Sequence, residues 1–425
     1  MFLSASHIAP TFRTNNLLFQ TNFAECANAA TRKVEHPMNP ETVIARINVM
    51  QPWLGAEEAQ ALAEVVASGW VAQGPKVKEF EADFSAAHEA PHAVATSSGT
   101  AALHLALVVA GIGHGDDVVV PSLSYIAIAN AVTYVGARPV FCDVDPSTGN
   151  VTAETIRAAL TLDARAVIVV DHGGVPLDLD PIRELCGRHE ITVIENAACA
   201  VGSLYKGRPV GTGADLTVWS FHAGKIITTG EGGMLTTHRQ DWAARARTLR
   251  EHSSSLAEAD RQGSIPAPPE VFLEIGFSYR MTDLQAAVGI VQLRRLAQVV
   301  ARRREIAGMY AAGLTGIEGL RLVADPLYGT TNFQSFWVEV LPGFTISRDG
   351  LLCRLADAGI SATRGLMAAH RQPAYRWRET ARARLQHTER LADSTLTLPV
   401  FHELDAVSIN RVINTIQTAR TGVGC

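Results

Sequence analysis

The chain is poor in cysteine, and none of it is paired. Its 425 residues contain Cys26, Cys142, Cys186, Cys199, Cys353 and Cys425, with no C-x-x-C spacing. That excludes a disulfide scaffold and a zinc ribbon, and predicts a reducing, cytoplasmic setting. No run approaches the ~18 uninterrupted apolar residues of a membrane span. Charge of either sign is nearly balanced, since 37 Lys+Arg against 42 Asp+Glu leaves −5. Nothing here draws the whole molecule to nucleic acid or to anionic lipid. With 47% hydrophobic and 19% charged residues, disorder and collagen are also excluded. What remains is a soluble multidomain chain, with an enzyme as the expectation. At roughly 150 residues per domain the length allows two or three.

Residues 1–46 show no sustained period, and 1–24 carry a single charge, Arg13. No basic segment precedes an apolar stretch, so no signal peptide is expected. The expectation is a disordered extension, with Met38 or Met50 as alternative starts. From Ile47 the pattern becomes regular. A helix is expected over 56–68, ending at Gly69. A strand at 93–96 leads into an apolar helix that Ser97-Ser98-Gly99-Thr100 opens and that runs through Ala110. Then follow a strand at 118–120, a helix from about 126 to 135, and strands at 139–143 and 166–170. A helix at 180–189 and a strand at 192–195 continue the alternation. Strands alternating with helices predict right-handed βαβ units and a mostly parallel sheet. Near 216–221 the strands shorten. One long helix is then expected from an N-cap at Thr282 past Arg302-Arg303-Arg304. These arginines read as a solvated helix face rather than a polyanion patch. The expected layout is an extension over 1–46, a large domain over 47–290 and a smaller α/β domain over 291–425.

Two motifs mislead. His88-Glu89-Ala90-Pro91-His92 matches H-E-x-x-H, but that motif needs both histidines on one helical face. Pro91 lies between them and breaks a helix, so a polar turn is expected and no metal. Gly111-Ile112-Gly113-His114-Gly115 resembles a dinucleotide fingerprint. Such a fingerprint follows a strand and opens a helix. Here the order is reversed, so it reads as a helix end and a turn.

Four features converge on one chemistry. Ser98-Gly99-Thr100 ends a strand and begins a helix, where free N–H groups and the helix dipole attract an anion. Ser220-Phe221-His222-Ala223-Gly224-Lys225 leaves a strand and enters a Gly- and Thr-rich loop. A lysine in a dry loop is available to a carbonyl as a Schiff-base former; a surface lysine in a turn is the other reading. Glu195-Asn196-Ala197-Ala198 sits at the C-terminal end of a parallel strand, where α/β folds place ligands. Tyr125 follows a strand at the equivalent edge, as a plate for a planar ring or as an ordinary buried tyrosine. Phosphate cradle, plate, lysine and strand-end polar group together point to pyridoxal 5′-phosphate.

From about Ile47 to the end the chain resembles the DegT/DnrJ/EryC1/StrS aminotransferases, which act mainly on nucleotide-linked keto-sugars. The matching stretches are SSGTAALHLAL (97–107), PSLSYIAIANAV (121–132), FCDVDPSTGNV (141–151), VIENAACAVGSLYKGRPVGTGAD (193–215), SFHAGKIITTGEGGM (220–234), GFSYRMTDLQAAVGIVQL (276–293) and LTLPVF (396–401). The resemblance implies a fold type I transferase, with a large, mostly parallel sheet domain and a smaller C-terminal domain. It implies a homodimer with shared active sites, acting on an amino donor, glutamate or glutamine, and a keto-sugar nucleotide. Lys225 would join the cofactor as a Schiff base and shuttle the proton. Gly99, Thr100 and Ser220 would hold the phosphate, and Tyr125 would stack on the ring. Ser278 and Arg280 would reach the partner's site, and His370 would stand on the substrate side.

The chain departs from that family at three places. Asn196 stands where an aspartate usually pairs with the ring nitrogen and keeps it protonated. Asparagine is neutral and cannot supply that charge. Glu195 faces the other side of the strand and is not expected to replace it. Cys199 stands where Gln or His is common, and Ser278 where Asn is. Transamination with a less electrophilic cofactor is the expectation. Another pyridoxal reaction, such as dehydration or oxidation, and a degenerate homologue that binds without turnover are the alternatives.

Overall fold

Apolar alternation builds the centre of the molecule. The computed structural model describes residues 45–255, 269–376 and 384–419. The expected extension thus lies, but for its last two residues, outside them. A compact unit spans Arg46–Cys425. The first strands and helices are α1 (Ala56–Ser68), α2 (Pro75–Ala87), β1 (His92–Thr96), α3 (Gly99–Val109), β2 (Asp117–Pro121), α4 (Ala127–Tyr134) and β3 (Arg138–Cys142). Next come α5 (Ala153–Ala159), β4 (Ala164–Val170), α6 (Leu179–Gly187), β5 (Thr192–Asn196) and the short β6 (Leu204–Tyr205) and β7 (Arg208–Pro209). β8 (Leu216–Ser220), β9 (Gly233–Thr237) and α7 (Gln240–Leu249) complete this region.

Seven of these strands form one sheet in the order β1-β9-β8-β5-β4-β2-β3. β2, β3, β4, β5 and β8 pair in parallel, and β9 runs antiparallel to both β1 and β8. β2, β8 and β9 are buried at every residue, as a sheet covered on both faces requires. One face packs on α3, α4 and α7 through Leu103, Leu107, Val132 and Leu249. On the other face, α5 and α6 cover one end. Phe80 and Phe84 of α2 cover the other end, with Trp219 and Phe221.

The chain continues with α8 (Asp283–Arg294), α9 (Leu296–Leu314), β10 (Leu320–Leu322), β11 (Gly329–Thr330), β12 (Phe336–Val340), α10 (Arg348–Asp357), β13 (Thr363–Arg364), α11 (Gln386–Ser394), β14 (Thr395–Leu398) and α12 (Ala406–Ala419). A second sheet, β10-β12-β14-β13, is antiparallel and has its own core against α9, α10 and α12. Ile47 enters that core and exchanges backbone bonds with Gly359 and Ser361.

Three expectations change. The long helix is two, since Arg295 ends α8 at φ −92°, ψ −2° and α9 begins at Leu296. Its guanidinium turns inward to Glu58, 2.9 Å away, and lies over the Trp53 ring. The arginine run is not a solvated face. Arg303 is buried and donates to the carbonyls of Phe333 and Gln334 at 3.1 and 3.3 Å, and Arg304 pairs with Asp325. The expected turn at 88–89 is present, but His88 in it is buried rather than solvated. It closes α2, an element the sequence left unassigned, and its ring stacks on Phe84 at 4.0 Å.

Candidate active site

The register of the large sheet brings the singled-out residues to one edge. Thr96 and Ser220 both pair with Gly233, and Asn196 ends β5 opposite Val218. Ser98 caps α3, its hydroxyl accepting the Ala101 N–H at 3.1 Å. The first N–H groups of a helix have no intrahelical partner and form the positive end of its dipole, which attracts an anion. Two glycines allow this helix end to sit against the sheet. A β-carbon on Gly99 would lie 2.8 Å from Ser220 Cβ, and one on Gly233 only 2.4 Å from the Ser98 carbonyl oxygen. Ser220 thus stands beside Gly99, the residue before Thr100.

The loop after β8 is braced throughout. The Thr228 hydroxyl and the Thr229 N–H both donate to the Phe221 carbonyl, at 2.9 and 3.0 Å. Gln334, from the far part of the chain, donates its amide to the Gly224 carbonyl at 2.7 Å. Lys225 is half-buried, and its Nζ donates to Cys199 Sγ at 3.2 Å.

Strand alternation sorts the next pair. Ile194 belongs to the core under α3, so Asn196 shares that face and Glu195 takes the other. The Asn196 Oδ1 accepts the Ala198 N–H at 3.1 Å, which leaves the amide –NH2 as its free-facing function. Glu195 is buried, and burial lifts its carboxyl to about 7. Asp171, just past β4, is raised well above the carboxylate range by burial and by Glu195. Its Oδ2 has no partner.

Tyr125 follows β2 and is 63% exposed. It is therefore not a buried core tyrosine; its ring is open to a ligand. His370 is held on both sides, by the Ser122 hydroxyl at 2.6 Å and by Glu389 at 3.2 Å. Ser278 is exposed and pairs with Glu251 through a backbone bridge; Arg280, two residues on, is half-buried. Sequence reasoning passed over His172, Gln334 and Trp337, which line a cavity beside Cys199. The signal for His172 was present, since Asp171-His172-Gly173-Gly174 also stands at a parallel strand's C-terminal end. Gln334 and Trp337 carry no local signal.

A seven-stranded α/β sheet with one antiparallel strand and a lysine on the loop after β8 defines the fold type I transferases. Residues 52–417 match the model of the DegT/DnrJ/EryC1/StrS aminotransferase family, and the chain belongs to that family. It is an aminotransferase, in a family that depends on pyridoxal 5′-phosphate. It is 38% identical over 380 residues to a dTDP-4-dehydro-2,3,6-trideoxy-D-glucose 4-aminotransferase from Saccharopolyspora spinosa, covering 88% of this chain and 96% of that one. Among solved structures it is similar to the aminotransferase TlmJ from Streptoalloteichus hindustanus. There the TM-score is 0.81 at 38% identity, over 88% of this chain and 98% of that one. It is also similar to the PLP form of an aminotransferase from Streptococcus pneumoniae, with TM-score 0.82 at 27% identity, over 88% and 99% of the two chains.

Proposed function

We propose that the chain binds pyridoxal 5′-phosphate and moves an amino group from glutamate or glutamine to the ketone of a nucleotide-linked sugar. One observation carries this reading: Lys225 Nζ reaches the strand-end cluster, 3.2 Å from Cys199 Sγ, on the loop that Ser220 opens beside Gly99. The keto-sugar nucleotide for which the Saccharopolyspora relative is named supports the class of acceptor.

The residues present fit the cofactor. Gly99 and Gly233 keep the α3 end bare of β-carbons where these would collide, so backbone N–H groups stay within reach of a phosphate. Gly99, Thr100 and Ser220 would hold it. Tyr125 has an open ring to cover one face, and Cys199 flanks the lysine. When bound, the cofactor supplies an electron sink for the carbon that carries the amino group. Lys225 Nζ takes the proton from that carbon and returns it on the other side of the exchange. Glutamate leaves as 2-oxoglutarate and the ketone becomes an amine. His370 stands on the substrate side. Ser278 and Arg280 serve the neighbouring subunit of a homodimer in the cytoplasm. The exposed apolar run of Val271, Phe272, Leu273 and Ile275 next to Ser278 supports such a pairing.

Asn196 favours a second reading. Its remaining –NH2 suits an unprotonated ring nitrogen, which makes a weaker sink. Dehydration or oxidation of a related substrate, or binding without turnover, would follow from that. Release of 2-oxoglutarate from glutamate separates these outcomes. For Lys225→Ala, the expected result is loss of the visible cofactor band and of turnover. A full band with full turnover overturns the assignment.

A further inference from the structure

Tyr125, whose ring is open, lies between two grips made by one later segment. Before it, the Ala369 N–H donates to the Ser122 carbonyl at 2.7 Å, and Leu123 forms a backbone bridge with Ala368. After it, the Tyr375 hydroxyl donates to Asn130 Oδ1 at 2.8 Å and meets the Thr133 hydroxyl at 3.1 Å, both on α4. Ala369 and Tyr375 are buried in the core that α3 and α4 share. Residues 368–375 thus hold the chain on both sides of Tyr125. The turn between the grips is tight. The Ser124 N–H donates to the Ser122 carbonyl at 3.1 Å, and the Ile128 N–H to the Tyr125 carbonyl at 3.2 Å. A displacement of Ser122 is therefore passed three residues on, to Tyr125.

His370 is the polar pin of the first grip. Its backbone N–H donates to Ser122 Oγ at 3.2 Å, and its Nδ1 meets the same oxygen at 2.6 Å. On the other side of the ring, Nε2 meets Glu389 Oε1, on α11, at 3.2 Å. The hydrogen bond from His370, and then that from Arg371, hold the Glu389 carboxyl below its usual range. It is therefore ionised and only accepts, so Nε2 carries the ring proton. In the neutral ring Nδ1 then accepts the Ser122 O–H, while the Ser122 oxygen takes the backbone N–H. Ser122 is fully buried, and its hydroxyl is satisfied in both roles. Both imidazole nitrogens are spent inside the protein, and neither is left to bind a substrate.

We propose that His370 is a positioning residue, which through its bond to Ser122 sets the height and tilt of the Tyr125 ring against the cofactor. The proposal rests on the reading above, in which pyridoxal 5′-phosphate binds here and Tyr125 covers its ring. Two substitutions separate the ring nitrogens. The Asn amide oxygen stands two bonds from Cβ, as Nδ1 does, so His370→Asn keeps an acceptor for Ser122 and gives up Glu389. The Gln amide nitrogen stands three bonds away, as Nε2 does, so His370→Gln keeps Glu389 and gives up Ser122. Uptake of pyridoxal 5′-phosphate by the full chain is titrated at its visible band. The expected result is uptake about tenfold weaker for His370→Gln and for Ser122→Ala, and less than about threefold weaker for His370→Asn. Ser122→Ala reads the same bond should His370→Gln fold poorly. Added to Tyr125→Ala, Ser122→Ala is expected to weaken uptake no further, because the ring it acts through is gone. Losses that multiply to about a hundredfold overturn the proposal, as do equal losses for His370→Asn and His370→Gln, or no loss at all. Unchanged uptake with only the sugar half-reaction slowed also overturns it, and assigns His370 to the substrate. Wild-type protein that takes up no pyridoxal 5′-phosphate overturns the functional reading as well, whereas wild-type uptake with multiplied losses overturns the positioning role alone.

Discussion

Asn196 spends its side-chain carbonyl on the Ala198 N–H, so it meets any ligand as a donor. An aspartate there would offer only acceptors and a charge. Asn196→Asp is therefore expected to move the cofactor absorption toward the protonated-ring form. An unchanged spectrum and rate would mean that residue 196 does not face the ring nitrogen. His88 gives a second residue-scale expectation. Burial against Phe84 and Trp219 lowers its imidazole to about 4, whereas the unfolded chain titrates near 6.5. The unfolded state takes the proton first as pH falls, so stability is complete above about 6.5 and is lost toward pH 4. A displacement from about 6.5 to about 4 corresponds to roughly 3 kcal/mol. His88→Asn should flatten this loss in melts between pH 7 and 4. Glu195, raised to about 7, tilts both proteins alike in the opposite sense, so the difference between them reports His88. Equal slopes would refute the assignment.

Among the elements, α9 does more than cover the second sheet. Its Arg303 holds the carbonyls of Phe333 and Gln334, and the Gln334 side chain holds the Lys225 loop at Gly224. Arg303→Ala leaves those carbonyls buried and unpaired and should cost about 2 kcal/mol in urea unfolding. The exposed pair Arg188–Glu184 is worth at most about 0.5 kcal/mol on a helix surface. Equal effects of the two alanine variants would mean that Arg303 bears no such load. The βα alternation from 92 to 196 is legible in the sequence because strands covered on both faces are continuous apolar runs. The strand-end placement of Gly99, Asn196 and Lys225 follows from the same pattern. What is not legible depends on distant partners. The break at Arg295 answers to Glu58 and Trp53, and Arg303 answers to carbonyls thirty residues away. The cavity walls at His172 and Trp337 come from separate sheets. No local period encodes any of these meetings.

On the scale of the whole molecule, the exposed Phe272, Leu273 and Ile275 (Ile275 at 89%) lie close to Ser278 and Arg280. Such a patch is expected to bury itself against a second copy. Ile275→Glu should shift sedimentation toward the monomer and lower turnover together. A variant that stays dimeric with full activity would place the interface elsewhere.

The bonds that tie the Lys225 loop and the chain's early segment to late residues set an order of assembly during synthesis. Gly224 waits for Gln334, 110 positions later. At about 5–20 residues per second the ribosome needs roughly 6–20 s to supply it. Val49 waits longer still, since its carbonyl receives the Val400 N–H. The nascent large sheet can thus pair while its lysine loop is still slack. The finished site is then a product of the last quarter of translation, and a chain truncated before Gln334 would carry every cofactor residue named, yet lack the substrate-side His370 and the bond that sets the loop.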